Sequence, residues 1–297
     1  MEAQVNELEQ KALERELLDA IVELAIREDV GSGDMTSRTA VHAELQLEHV
    51  CRVKQDGVIA GLGLMQQVFA RIDPAISCEL LVSEGAEVVA GTEVALVRGS
   101  ARSILTAERT ALNFLQRMSG IATEARRYVR AIEGTGAKIL DTRKTAPGLR
   151  AADKLAVRLG GGVNHRFGLF DMIMIKDNHI AAAGGITAAL MRVQRENYGR
   201  LPVEVEVASV AQLTELLPLV DDPGVDRVLL DNMSLVELRE CVALVDGRVP
   251  LEASGNVTLK TVGEIAATGV EYISVGSLTH SVAALDIHLD SRDEGDR

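Results

Sequence analysis

The sequence predicts an α/β protein, with a small sandwich-like region followed by a barrel of parallel βα units. Two observations predict the barrel. Short apolar runs recur at 137–140, 172–175, 203–207, 227–230, 249–251 and 272–275, with amphipathic segments between them at 149–159, 186–197, 209–217, 234–245 and 259–267. Strand, helix and strand at spacings of roughly 20–35 residues are the mark of parallel βα units. Polar or glycine residues also follow one run after another: Asp141-Thr142-Arg143-Lys144, Lys176-Asp177-Asn178-His179, Asp231-Asn232, Ser254-Gly255-Asn256 and Gly276-Ser277, with Glu206 inside its own run. Groups collected at successive strand C-termini mark the active face of a (β/α) barrel, beyond what polar turns need.

In chain order, residues 7–28 alternate Leu, Ile and Val with charges at helical spacing, and the helix should stop near Gly31. The segment from Glu28 to Thr36 is expected to be a turn-rich loop. Strands follow at 45–53 and 77–82 with a helix at 64–72 between them, and 84–92 carries hairpin punctuation. That hairpin is similar to the small sandwich of lipoyl and biotinyl carriers. No lysine lies between Lys54 and Lys138 to accept such a group, so the region reads as a structural sandwich. A long helix is expected from Thr106 to about Glu133, and the βα units begin after it.

Composition excludes several classes of function. Aromatic residues make up 2% of the 297 residues, with no Trp, so the core must be aliphatic and base-stacking platforms are not expected. A formal net charge of −13 argues against a nucleic-acid footprint. No apolar run reaches bilayer length, so no membrane partner is expected. Cys51, Cys78 and Cys241 stand alone without a CxxC pair, and Met1-Glu2-Ala3-Gln4 opens no secretory signal, which predicts a reduced, cytoplasmic setting.

Against this acidic background, the span from Arg143 to Lys176 carries Arg143, Lys144, Arg150, Lys154, Arg158, Arg166 and Lys176 against only Asp153 and Asp171. A cationic segment in an acidic chain predicts a focused site for a small polyanion. Arg143, Lys144, His165, Arg166 and Lys176 form the candidate anion-binding group, arginine forks suiting carboxylates and lysines acting as point charges. Arg150, Lys154 and Arg158 lie at helical spacing and are expected to form a solvated face. Glu206 and Asp231 supply carboxylates that could hold Mg²⁺, accept hydrogen bonds from ribose hydroxyls or stabilise positive charge on a sugar carbon. Ser254-Gly255-Asn256 and Val275-Gly276-Ser277 could offer backbone N–H groups to a phosphate. The histidines show no metal-ligand spacing, and His179 reads equally as a catalyst or a structural hydrogen-bonder.

These residues resemble quinolinate phosphoribosyltransferases. The resemblance runs from Glu28-Asp29 to about Asp286, through LTAERTALNFLQRMSGIAT from Leu105, LDTRKTAPGLR from Leu140, GGGVNHRFGL from Gly160 and IKDNHI from Ile175. VEVEV from Val203, LLDN from Leu229, EASGN from Glu252 and ISVGSLTH from Ile273 follow in the family's order. The resemblance implies a type II phosphoribosyltransferase fold: an N-terminal α/β sandwich over 1–115, to which 278–297 returns, and an incomplete TIM-like α/β barrel over 116–277. It implies transfer of phosphoribose from 5-phosphoribosyl 1-pyrophosphate to quinolinate, with loss of CO₂ and a requirement for Mg²⁺, in NAD biosynthesis. By motif, Arg143, His165, Arg166 and Lys176 would bind quinolinate, and Thr142 and Lys144 would border it, with Lys144 facing both substrates. Lys144, Lys176, Glu206 and Asp231 would form the catalytic set, and Glu206 and Asp231 would hold ribose and metal. Ser254, Gly255, Asn256, Val275, Gly276 and Ser277 would receive the 5′-phosphate, and Arg109 would act across the interface of a homodimer or dimer-based hexamer. Arg109 by itself reads as an ordinary exposed helix residue. The acidic tail from Asp290 to Arg297 is expected to be disordered.

Three other readings stay open at this point. A related phosphoribosyltransferase linked to molybdate uptake would share the architecture. A barrel lyase or aldolase would use Lys144 or Lys176 as a Schiff base, and a catalytically silent protein would only bind phosphoribosyl compounds.

Overall fold

The computed structural model describes residues 2–198, 200–220 and 224–291. The chain opens with α1 (Glu2–Val30) and α2 (Met35–Ala40), followed by β1 (Gln46–Val53), β2 (Gly57–Val58), α3 (Leu62–Ile72) and β3 (Ser77–Leu80). Next come β4 (Glu87–Val88), β5 (Glu93–Ser100) and the long α4 (Ala101–Ala131). The expected loop at Glu28–Thr36 is therefore shorter than predicted, because Asp34 caps α2 by accepting the Ser37 backbone N–H at 2.9 Å. The hairpin punctuation at 84–92 lies between β3 and β5, which pair antiparallel with Leu80 opposite Ala95, and within this connection Val88 pairs with Gly57 of β2. The helix α4 starts five residues before Thr106, at Ala101.

The second half supplies β6 (Lys138–Leu140), α5 (Arg150–Leu159), β7 (Ile173–Ile175), α6 (Asp177–Ala183), α7 (Ile186–Glu196), β8 (Val203–Val207) and α8 (Val210–Leu216). It continues through β9 (Arg227–Asp231), α9 (Leu235–Val245), β10 (Leu251–Ser254), α10 (Val262–Ala266), β11 (Tyr272–Ser274), α11 (Ser277–His280) and β12 (Ile287–Ser291). All six expected barrel strands are present. Only β10 is displaced, from 249–251 to Leu251–Ser254, because the buried Glu252 lies inside a strand that an apolar pattern would end. Asp290 belongs to β12, which corrects the expected disorder there, and the tail beyond Ser291 lies outside the described residues.

Contacts divide the chain into two compact units. One comprises residues 2–124, 145–161 and 281–291, and the other 125–144 and 162–280. The first holds an antiparallel sheet in the order β12-β1-β5-β3, with Val50 opposite Leu96 and Cys51 opposite Leu289. Along α4, Ile104, Ala107, Ala111, Leu115, Met118 and Ala122 are buried at steps of three and four residues, the apolar stripe of an amphipathic helix. In α5 the expected solvated face is only partly present. Arg158 pairs with Glu14 at 2.6 Å, but Lys154 is 1% exposed. The neighbouring Asp153 is fully buried and takes a two-pronged ion pair from Arg117 at 2.9 Å, so this helix is covered on its charged side as well.

The second unit is a sheet in the order β6-β11-β10-β9-β8-β7, with parallel pairing throughout. Val163 adds a single parallel bridge beyond β6 at Leu140, and among the described residues no ladder joins β6 to β7. The barrel is therefore open at one seam. On the face opposite the cavity-lining Glu206, Asp231, Glu252 and Ser254, its strands bury Val203, Val205, Val228, Leu230, Ala253 and Ile273 in an aliphatic layer.

Candidate active site

A cavity of about 230 Å³ opens at the C-terminal ends of these strands. Thr142, Arg143, Lys144, His165, Arg166, Lys176, Glu206, Asp231 and Ser254 all line it. Each is placed by local structure. Thr142 accepts the Lys144 backbone N–H at 3.0 Å, and the Thr279 hydroxyl donates to the Lys144 carbonyl at 2.9 Å, which fixes the turn after β6. Gly276, after β11, lies where an added Cβ would sit 3.1 Å from Lys144 Cδ, so its small size leaves room for the lysine stem.

Asp141 has no exposed surface. It accepts the Asn164 side-chain amide and, at 2.8 Å, the His165 backbone N–H, which ties the 163–166 segment to the end of β6. Arg166 donates to the Met172 carbonyl at 3.1 Å. Burial and the nearby Arg143 guanidinium both depress the Arg166 pKa, as two like charges held close together do. On the opposite side, Lys176 makes an ion pair with Glu206. His179 accepts the Lys176 backbone N–H on Nδ1 at 3.0 Å, a structural hydrogen bond at the start of α6.

Beneath these groups lies a charged floor, of which sequence reasoning singled out His165 but not Glu204, Glu252 or Arg227. His165 Nε2 faces Glu204 at 3.0 Å and Glu252 at 3.4 Å, and both carboxylates are fully buried. Arg227 reaches Glu252 at 2.9 Å and Glu204 at 4.0 Å while stacking 4.1 Å above the Tyr272 ring. Burial disfavours the charged imidazole, but the two carboxylates outweigh it and raise His165 to about 9. The Arg166 N–H donates to His165 Nδ1 at 2.7 Å and opposes this protonation. One neutral hydrogen bond is weaker than attraction to two buried carboxylates. Burial raises Glu204, whereas at Glu252 burial is outweighed by His165 and Arg227 and the carboxyl is lowered. His165, Glu204 and Glu252 offer ligand atoms within 4.8 Å of one another, as a metal site would. Their charge is already met by Arg227 and the imidazole, so the geometry is that of an ion-pair network.

Val275, Gly255, Asn256, Gly276 and Ser277 stand next to the cavity without lining it, whereas Ser274 and Met174 do line it. The Val275 N–H is used in the sheet, donating to the Leu140 carbonyl at 2.9 Å. Arg109 is exposed on α4, in the other unit.

An open parallel βα barrel with cations and carboxylates at its strand ends defines an enzyme acting on a small, multiply charged substrate. The family models described as quinolinate phosphoribosyl transferase, N-terminal and C-terminal domain, match residues 34–119 and 121–290. The chain belongs to the quinolinate phosphoribosyltransferase family. It is 46% identical to quinolinate phosphoribosyltransferase [decarboxylating] 1b of Nicotiana tabacum over 287 residues, covering 92% of this chain and 81% of the relative. A probable nicotinate-nucleotide pyrophosphorylase [carboxylating] of Bacillus subtilis is 41% identical over 263 residues, covering 89% of each. The solved nicotinate-nucleotide pyrophosphorylase of Francisella tularensis superposes with a TM-score of 0.88 at 37% identity, covering 93% of this chain and 96% of that one.

Proposed function

We infer that this chain transfers the phosphoribosyl group of 5-phosphoribosyl 1-pyrophosphate to quinolinate, with loss of CO₂. The products are nicotinate mononucleotide and pyrophosphate, in de novo NAD biosynthesis. The observation that carries this reading is the match of both family domains across one chain whose barrel cavity gathers the cations and carboxylates that the reaction needs.

Quinolinate is a dianion, and Arg143, Arg166 and Lys176 meet it with fixed positive charge while His165 adds the charge of its imidazolium from below. Lys144, across the same cavity, faces both substrates, and Thr142 holds its turn. As the ring nitrogen attacks C1, the bond from C1 to pyrophosphate breaks and positive charge builds on the ribose. Glu206 and Asp231 stabilise that charge and accept the ribose hydroxyls. Ser254, Gly255 and Asn256, with Val275, Gly276 and Ser277, take the 5′-phosphate. The electron pair left by departing CO₂ is then stabilised by the adjacent quaternised nitrogen until solvent supplies a proton. Positioning provides much of the rate, and no single general base is needed.

Glu206 and Asp231 are hard oxygen donors bordering the cavity, a donor set that fits Mg²⁺. Bound there with the substrate, Mg²⁺ would neutralise the leaving pyrophosphate. The proposal also includes a sandwich of 1–115, joined by 278–297, and a barrel of 116–277. It extends to a dimer, or a hexamer built from dimers, in which Arg109 of a second copy completes the quinolinate pocket. Among the described residues no helix is long and apolar enough to cross a membrane. The three cysteines carry no disulfide, which fits a reducing, cytoplasmic compartment.

The test is an assay with quinolinate, phosphoribosyl pyrophosphate and Mg²⁺ that follows nicotinate mononucleotide and CO₂ together. Equal yields, with nicotinate inert in place of quinolinate, support the reading. No product from folded protein overturns it.

A further inference from the structure

The end of β9 carries a residue that the assigned chemistry leaves unused. Asn232 follows Asp231 and adopts a left-handed conformation with φ of +55°. Its backbone N–H donates to the Ser254 carbonyl at 2.8 Å, which extends the β9–β10 ladder one step beyond the Asp231–Ser254 pair. Its side chain makes two more bonds in opposite directions. Nδ2 donates to Asp231 Oδ2 at 2.9 Å, and Oδ1 accepts from Asn256 Nδ2 at 3.2 Å. Gly255 turns beneath it at φ of +104°, where an added Cβ would lie 2.1 Å from Asn232 Oδ1 and 2.5 Å from its Cγ. Asn256 is also left-handed, at φ of +50°. One amide therefore ties the carboxylate at the end of β9 to the loop at the end of β10, and only glycine lets the loop pass that closely.

Asn232 and Asn256 are both exposed, so water could satisfy these side chains and the bonds contribute little to folding. Their geometric effect is larger. In the reading above, Asp231 meets the ribose hydroxyls and the Ser254-Gly255-Asn256 loop meets the 5′-phosphate, which are opposite ends of one sugar phosphate. We propose that Asn232 is a positioning residue that holds these two subsites at one fixed span, matched to a 5-phosphorylated pentose. This inference rests on that reading of Asp231 and the loop. In that reading quinolinate is met by Arg143, His165, Arg166 and Lys176, not by this amide.

The experiment compares the wild-type chain with N232G and N256G. Glycine accepts the positive φ at either position, so each variant removes the side-chain bridge without straining the backbone. Loss of the bridge should raise KM for phosphoribosyl pyrophosphate by about three- to tenfold, the scale of one or two hydrogen bonds, and leave KM for quinolinate within about twofold. The melting temperature should stay at the wild-type value. Unchanged KM for phosphoribosyl pyrophosphate in N232G overturns the proposal whatever N256G shows, because Asn256 is also assigned to the phosphate loop. So does a parallel rise in both KM values or a lowered melting temperature, since each is what a purely structural role would give. A wild-type chain that makes no nicotinate mononucleotide overturns the transferase reading first and the inference with it, and that arm is scored separately.

Discussion

The floor and the rim of the barrel cavity are built from similar residue types and behave as opposites. On the floor, Glu204 and Glu252 have no exposed surface and His165 very little, and their charges are matched to one another and to Arg227. On the rim, Lys144 is exposed and Arg143, Arg166, Lys176 and Asp231 are half-buried around open space. The floor is therefore held together by internal counter-charges, while the rim faces open space, with His165 shared between the two. A charged residue near an active site is not a substrate ligand by that fact alone; burial and the presence of an internal counter-charge decide which it is.

The largest effect should come from breaking the floor. Glu252→Ala would leave Arg227 and His165 facing one carboxylate in place of two, and should cost about 3–5 kcal/mol of stability, read from the urea midpoint. An unchanged midpoint would erase the distinction between the two regions. On the rim, Arg143→Ala should leave that midpoint within about 1 kcal/mol while kcat/KM for quinolinate falls about tenfold to a few hundredfold. Steady-state kinetics beside unfolding curves on the same sample would check it.

Titration separates the regions more finely. His165 is raised from an unfolded value of 6.5 to about 9, so its contribution is complete below the unfolded value and is lost as pH rises through about 9. Stability should fall by about 1–3 kcal/mol from neutral to alkaline pH, and His165→Gln should flatten that slope. A slope that survives the substitution would assign it to other groups. The smallest effect belongs to Gly276→Ala. Its new Cβ meets the Lys144 stem at 3.1 Å and the His280 ring at 3.2 Å, so both give by a few tenths of an ångström, and about a two- to fivefold loss of activity is expected with little loss of stability. A fall in melting temperature would show that the contact is not confined to the rim.

The rim was legible in the sequence because its residues interrupt a repeating pattern. Each follows an apolar run, and the runs mark the barrel strands. Nine of the residues singled out from sequence line one cavity. The floor, His165 apart, was not legible for the same reason inverted. Glu204 and Glu252 sit inside strands, where alternation assigns a charged residue to solvent, and only the three-dimensional meeting with His165 and Arg227 explains their burial. The shift of β10 has that cause too. Lys154 was misjudged because helical spacing alone cannot tell a solvated stripe from one covered by another helix, and α5 is buried on both its apolar and its charged sides. In the first unit, β12 escaped notice because its partner β1 is distant in sequence. Asn232 was visible in the LLDN motif, but its bridging role depends on a backbone conformation that no spacing reveals.

The pairing of β12 with β1 also bears on how the molecule is made. His49 and Ser291, partners in that ladder, are 242 positions apart, and the whole barrel is encoded between them. On a ribosome β1 emerges early and waits, one edge unfilled, while every barrel strand is translated. The barrel can assemble from neighbouring segments as they appear, whereas the sheet begun first is the last to be completed. During that interval the open edge of β1 is the part of the nascent chain most available to a chaperone, or to the same edge of another chain leaving the same message.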